Sequence, residues 1–195
     1  MNTDAILQAF NAVCPIDKDA WQDIEQYLIE STIRKGNHCW RAGDICKQVI
    51  FVNKGAFRYY YNIGEDDKEV TGQFFFENSF VTDYESFITM KPTTHNFQAL
   101  EDSEIIVIPR KVVYDMYDRH KCFERFGRLI AEYNFIGLHE THVNLKSVNP
   151  QEQYLSLLKE RPQVLARVPL NLIASYLGVT PEHISRIRKK IIEGN

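Results

Sequence analysis

Hydrophobic positions change their period twice along the chain. Trp21, Ile24 and Leu28 recur at helical spacing, with Asp17 or Asp19 placed to cap, so an amphipathic helix is predicted from Asp17 to Ile29. From Ile33 the pattern becomes short β-rich runs broken by Gly36, Gly43, Gly55, Gly64 and Gly72. The clearest predicted strands are Val49 to Val52, Ala56 to Ile63, Glu69 to Phe76 and Ile105 to Ile108, with an acidic turn at Gly64-Glu65-Asp66-Asp67. Short strands with regular turns predict a jelly roll or barrel. The triplets Tyr59-Tyr60-Tyr61 and Phe74-Phe75-Phe76 must each serve both faces of a strand, as core, exposed edge or pocket wall. Asn78 to Thr94 is too long for a simple turn, and long excursions on rigid scaffolds often carry function.

After Pro109 the pattern is helical, first through Val113 and Tyr117 and then from about Cys122 to Leu145. Phe126, Leu129, Tyr133, Ile136 and Val143 make a seam, interrupted by Glu140, that reads as a dimer helix or as packing on the chain's own sheet. Asn149-Pro150-Gln151-Glu152 supplies an N-cap, a first-turn proline and a capping acid for a further helix carrying Tyr154, Leu155 and Leu158. Ser147 to Asn149 is thus the expected hinge. The pattern divides the chain into 1–110, a β-roll; 111–147, connecting and dimerisation helices; and 148–195, a small helical unit.

Within that last unit, Val168 to Lys190 predicts two short helices. Leu170, Ile173, Ala174 and Leu177 share one face of the first, with Asn171 and Ser175 pointing away; Gly178 ends it, and Thr180-Pro181 opens the second. There Ile184, Ile187 and Ile191 fall together, while Glu182, Ser185, Arg186 and Lys189 face outward. Two helices, a tight glycine turn, a small residue at the crossing and polar groups able to make bidentate bonds form a helix-turn-helix pattern. A solvated helical hairpin is the plainer alternative. Thr180 and His183 complete the expected DNA-facing set, and Arg188 and Lys190 flank it at angles suited to phosphates.

Charge sharpens this division. The net charge is −3, yet residues 151–195 hold 7 Lys+Arg against 4 Asp+Glu, leaving 16 against 22 for residues 1–150. The basic end is the one predicted to meet phosphates, and the acidic remainder should stay away from them. Cys14, Cys39, Cys46 and Cys122 show no metal-ligand spacing and read as reduced thiols; His139 and His142 lack a third ligand and read as solvated. No nucleophile elbow, P-loop or dinucleotide fingerprint occurs, so neither enzyme activity, cofactor nor metal is expected. Without a membrane-length apolar run or a signal-peptide pattern, a cytoplasmic location is expected. A cupin-type jelly-roll enzyme with a helical tail is the alternative, but it needs clustered His and Glu ligands, whereas His38 and His95 stand alone.

A glycine-spaced β-roll, a long helix and a C-terminal LIASYLGVTPEHISRIRKK, in this order, resemble the cyclic-AMP receptor/FNR family of bacterial transcription regulators. The resemblance implies an α+β protein: an N-terminal double-stranded β-helix or jelly roll, a long dimerisation helix, and a C-terminal helix-turn-helix domain. It implies a homodimer whose seam includes Phe126, Leu129, Tyr133 and Ile136, palindromic double-stranded DNA as partner, RNA polymerase as a further partner, and a small-molecule effector. It assigns base reading to the E-x-x-S-R pattern at Glu182, Ser185 and Arg186, and suggests a TGA-like core. In cyclic-nucleotide binders of the family a Gly-Glu pair meets the ribose and an Arg-Ser pair the phosphate. Alignment puts Phe76-Glu77 and Thr93-Thr94 at those places, so the arginine is missing and cyclic AMP is not the expected effector. Five residues follow Lys190, so no β-hairpin wing is expected beyond the second helix.

Overall fold

Ile50-Phe51-Val52 and Ile105-Ile106-Val107-Ile108 are continuous apolar runs because their strands are covered on both faces. The computed structural model describes residues 3–147 and 149–193, with 138–147 and 192–193 described by backbone alone. Its body is two four-stranded antiparallel sheets. One has the spatial order β1 (Ile29–Ile33), β8 (Ser103–Pro109), β3 (Gln48–Lys54), β6 (Phe80–Val81); the other is β2 (His38–Trp40), β7 (Asn96–Ala99), β4 (Phe57–Ile63), β5 (Lys68–Phe75). Ile50, Val52 and Ile105 point between the sheets with Phe57, Phe97 and Trp40, and Phe57 and Phe97 stack at 4.8 Å.

Phe51, Ile106 and Ile108 alternate to the other face of the first sheet and meet four helices. These are α1 (Asp4–Val13), α2 (Lys18–Glu25), α4 (Arg110–Arg119) and α5 (Lys121–Ser147). Phe10 of α1 sits at the centre, 4.7 Å from both Phe80 and Phe126. Helix α2 ends earlier than its periodicity predicts, because Ile29 to Ile33 pair with β8 in the register Ile29↔Val107 to Ile33↔Ser103. The excursion 78–94 holds β6 and a short helix, α3 (Tyr84–Thr89), capped where Asp83 accepts from the Ser86 amide.

The remaining helices are α6 (Pro150–Glu160), α7 (Pro162–Arg167), α8 (Leu170–Tyr176) and α9 (Pro181–Glu193). Asn149 caps α6 through both Gln151 and Glu152 amides, as its sequence predicts. The expected hinge at 147–149 includes Val148, which lies outside the described residues. Among the described residues no helix is long and apolar enough to cross a membrane.

The expected dimer seam requires correction at its start. Phe126 is 8 % exposed and packs on its own Phe10 and Phe80, and Leu129 leans on the same core. The stripe faces the chain's own β-roll for its first turns. Farther along the same helix Tyr133, Phe135 and Ile136 are 77, 73 and 55 % exposed, where neither α1 nor the first sheet covers them.

Candidate nucleic-acid interface and the β-roll interior

Helices α8 and α9 are joined by Leu177 to Thr180, and Gly178 takes φ +67, the left-handed conformation that ends the first helix. Ile173, Ala174 and Leu177 bury against Ile184 and Ile187 together with Tyr154, Leu157 and Val164. That packing turns the other side of α9 outward. Glu182, His183, Ser185, Arg186, Arg188, Lys189 and Lys190 are all exposed, as is Thr180, whose hydroxyl accepts from the His183 amide at 3.3 Å. The Glu182 backbone amide, the Thr180 hydroxyl and Arg186 hold the Glu182 carboxyl below its ordinary range, so it is an acceptor at neutral pH. One short helix therefore presents an acceptor, a hydroxyl and a guanidinium on one side, with further cations beside them.

Inside the β-roll the four expected pocket residues do not meet. Thr93 is buried and donates to Asp83 Oδ2 at 2.5 Å, while Thr94 is exposed and bonds His95. Phe76 and Glu77 lie instead against the helical unit: Phe76 packs with its core, and Glu77 takes both arms of the Arg167 guanidinium at 2.8 Å. The physical reason lies in strand alternation and the end of β5. Phe75 points inward to Phe97, Phe74 points outward to Tyr176, and the chain leaves the sheet at Phe76 before turning at Asn78, φ +65.

The carboxylate facing Thr93 is Asp83, which the sequence reading missed. Tyr59 donates to Asp83 Oδ2 at 2.9 Å, the Ser86 amide donates to Oδ1 at 2.9 Å, and His95 Nδ1 lies 3.3 Å from Oδ2. Burial would raise the Asp83 pKa, but the bonds from His95, Thr93, Ser86 and Tyr59 outweigh it, and the carboxyl stands well below its usual range. Burial, with Asp83 beside it, pushes Tyr59 upward and keeps its hydroxyl a donor. Tyr59 stacks on His95 at 4.6 Å, closing the cluster. The interior thus holds an anion of its own, satisfied on every side. An Asp-x-x-Ser pattern ahead of a helix was the available clue, since Asp at an N-cap accepts from the third residue on. Lys91 is exposed, and its carbonyl accepts from the Ser86 hydroxyl.

Among the described residues no cupin-like ligand set is assembled. His38 bonds Tyr60 and His95 stacks on Tyr59, neighbours that point to opposite faces of β4. Among the described residues no group of three or more His, Cys, Asp and Glu could hold a metal. The side chains of His139 and His142 lie outside the described residues. Cys14, Cys39, Cys46 and Cys122 are free thiols, and burial pushes Cys39 up to about 12.

Comparison with known proteins agrees with this fold. Residues 30–120 match the family model of the cyclic nucleotide-binding domain. A structure assigned to the Crp/Fnr family of transcriptional regulators, from Eubacterium rectale, superposes with TM-score 0.71 at 17% identity, covering 92% of this chain and 85% of that one. FixK2 from Bradyrhizobium japonicum gives 0.70 at 19% identity, covering 86% of each chain. The cyclic-AMP-bound regulatory domain of Toxoplasma gondii PKA gives 0.53 at 12% identity, covering 65% of this chain and 46% of that one. Comparison with curated proteins finds no match. The β-roll has the fold of a cyclic nucleotide-binding domain, and the two bacterial structures extend the likeness in fold well beyond it.

Proposed function

We propose that the chain is a sequence-specific DNA-binding transcription regulator, acting as a homodimer on a palindromic site and governed by an effector other than cyclic AMP. The observation that carries this reading is helix α9: Ile184 and Ile187 anchor it, and Glu182, Ser185 and Arg186 stand together on its open face. A helix-turn-helix places the start of its second helix against base edges in the major groove. Arg186 can bond guanine O6 and N7, Glu182 can accept from cytosine N4, and Arg188 and Lys190 suit phosphates. Selection from random duplexes should enrich a palindrome; failure to enrich any sequence, with the protein folded, would sink the proposal.

Exposed Tyr133, Phe135 and Ile136 support the dimer, since three large apolar side chains in four residues need a cover. The cover is a second copy, which sets two reading helices about 34 Å apart. Tyr133→Asp with Ile136→Asp should give monomers in sedimentation with lost operator affinity. A variant that stays dimeric and binds normally would refute that seam.

The expectation about cyclic AMP draws on Asp83. A cyclic phosphate would need a cation and would instead face a buried carboxylate beside Thr93. Calorimetry with cyclic AMP and cyclic GMP should give no heat; micromolar binding would overturn this part of the proposal.

A further inference from the structure

The helical unit is bonded to the β-roll along one edge. Strand β5 ends its sheet, so its outer backbone groups lack a neighbouring strand. They are met by side chains of the helical unit. The Thr71 amide donates to Ser175 Oγ at 3.0 Å, the Ser175 hydroxyl donates to the Glu69 carbonyl at 3.2 Å, and Arg161 donates to the Phe74 carbonyl at 2.6 Å. Phe74, Phe76 and Ala56 join the core of the helical unit. Arg167 closes the contact with a two-armed bond to Glu77 and a second ion pair to Glu101, its guanidinium 5.1 Å from the Phe76 ring centre. Gly55, whose amide donates to Glu77 at 2.8 Å, holds the carboxylate in place; it sits at φ +121, and a Cβ there would collide with Ser103.

This docking has an electrostatic consequence. Helix α8 is the first helix of the pair, the one that must cross the DNA backbone. Its Ser175 lies on Glu69 and Thr71, and the β4–β5 hairpin continues from there through Lys68 to the turn residues Asp67, Asp66 and Glu65, all exposed, where the three acids outweigh the one lysine. Asp67 is two residues from Glu69, so even a fully extended chain keeps it within about 7 Å, inside the distance over which charges still act at physiological salt. The contact therefore brings an acidic tip alongside the helix that has to approach phosphates.

We infer that Arg167, with Glu77 and Glu101, is an autoinhibitory latch that holds the DNA-reading unit against the acidic edge of the β-roll, and that opening it activates DNA binding. The inference rests on the DNA-reading proposal above. Glu77 is followed at once by the segment 78–94, which carries Asp83, α3 and Thr93, so movement of that segment pulls directly on the latch.

The test uses the full chain and mixed-sequence duplex DNA. Arg167→Gln should raise affinity by roughly 5- to 150-fold, the span of typical coupling between sites, and should abolish hydrogen-exchange protection of the Thr71 amide. Neutralising the exposed hairpin with Glu65→Gln, Asp66→Asn and Asp67→Asn should also raise affinity, and should add little once Arg167→Gln is present. The hairpin variant leaves the packed contact intact, so the absence of any gain from it overturns the latch even if Arg167→Gln misfolds. Wild-type binding that neither variant improves overturns the latch and spares the DNA-reading proposal. An equal hairpin gain in both backgrounds also overturns the latch. Absence of binding by wild type and every variant overturns both.

Discussion

Glu77 and Asp83 are six residues apart, both carboxylates are held below their ordinary pKa, and they do opposite things. Asp83 turns into the β-roll, 4 % exposed, and spends both oxygens on Ser86, Thr93, Tyr59 and His95. Glu77 turns outward, 34 % exposed, and spends its oxygens on Gly55 and Arg167. One satisfies the donors that surround it inside the β-roll; the other ties the end of β5 to the helical unit. A buried anion with both oxygens bonded is structural, whereas a half-exposed anion bridging two units can let go.

The sharpest way to break this comparison is Asp83→Ala. It leaves the Tyr59 and Thr93 hydroxyls and the Ser86 amide without their acceptor, and should cost about 3 kcal/mol in urea unfolding. A loss below about 0.5 kcal/mol, the range of an unremarkable surface substitution, would mean that Asp83 does not organise the interior. Glu77→Gln should cost less, about 1 kcal/mol, because its ion pair is partly solvated. Its effect should appear instead as lost protection of the Thr71 amide, which Asp83→Ala need not produce while the protein remains folded.

Acid titration should follow the same order. The Arg167 guanidinium holds Glu77 at about 2, below its usual carboxylate range. The stability this adds is fully present above the unfolded pKa, and is lost as pH falls through about 2. Between pH 5 and 8 the latch should not respond, so proton release there is not its trigger. Wild type and Glu77→Gln should differ by a constant amount across that range and converge in strong acid; a difference that changes between pH 6 and 8 would point to another titrating group. Smallest in stability is Arg186→Ala, expected within ~0.5 kcal/mol because the side chain is exposed. In DNA binding it should cost roughly 1–3 kcal/mol at one base pair per half-site, while Lys190→Ala weakens all sequences alike. Equal, uniform losses from both would show that reading face and flank had been misassigned.

Local chemistry in the sequence was enough for the helix pair α8–α9, the Gly178 stop, the Asn149 cap and the strands β3, β4, β5 and β8. Each is decided by periodicity, a cap or a turn within a few residues, and residues 168–190 carry all three. Helices α1 and α7 and the short strands β2, β6 and β7 were not read, because they are held by partners far along the chain: Phe10 on Phe80 and Phe126, or His38 on Gln98. The seam on α5 shows the limit plainly. The stripe from Phe126 to Ile136 is legible, but which part meets the chain's own core depends on where α1 and the first sheet end.

The two carboxylates mark the same boundary. Both are visible in the sequence, and a family pattern drew attention to Glu77. Only the tertiary structure decided that Glu77 leaves the sheet toward Arg167, 90 residues away, and that Asp83 takes its place beside Thr93. Sequence by itself determines what each residue can bond and which local element it favours; which partner it meets is fixed by packing, because side-chain bonds in a buried setting are chosen by whichever arrangement leaves the fewest polar groups unpaired.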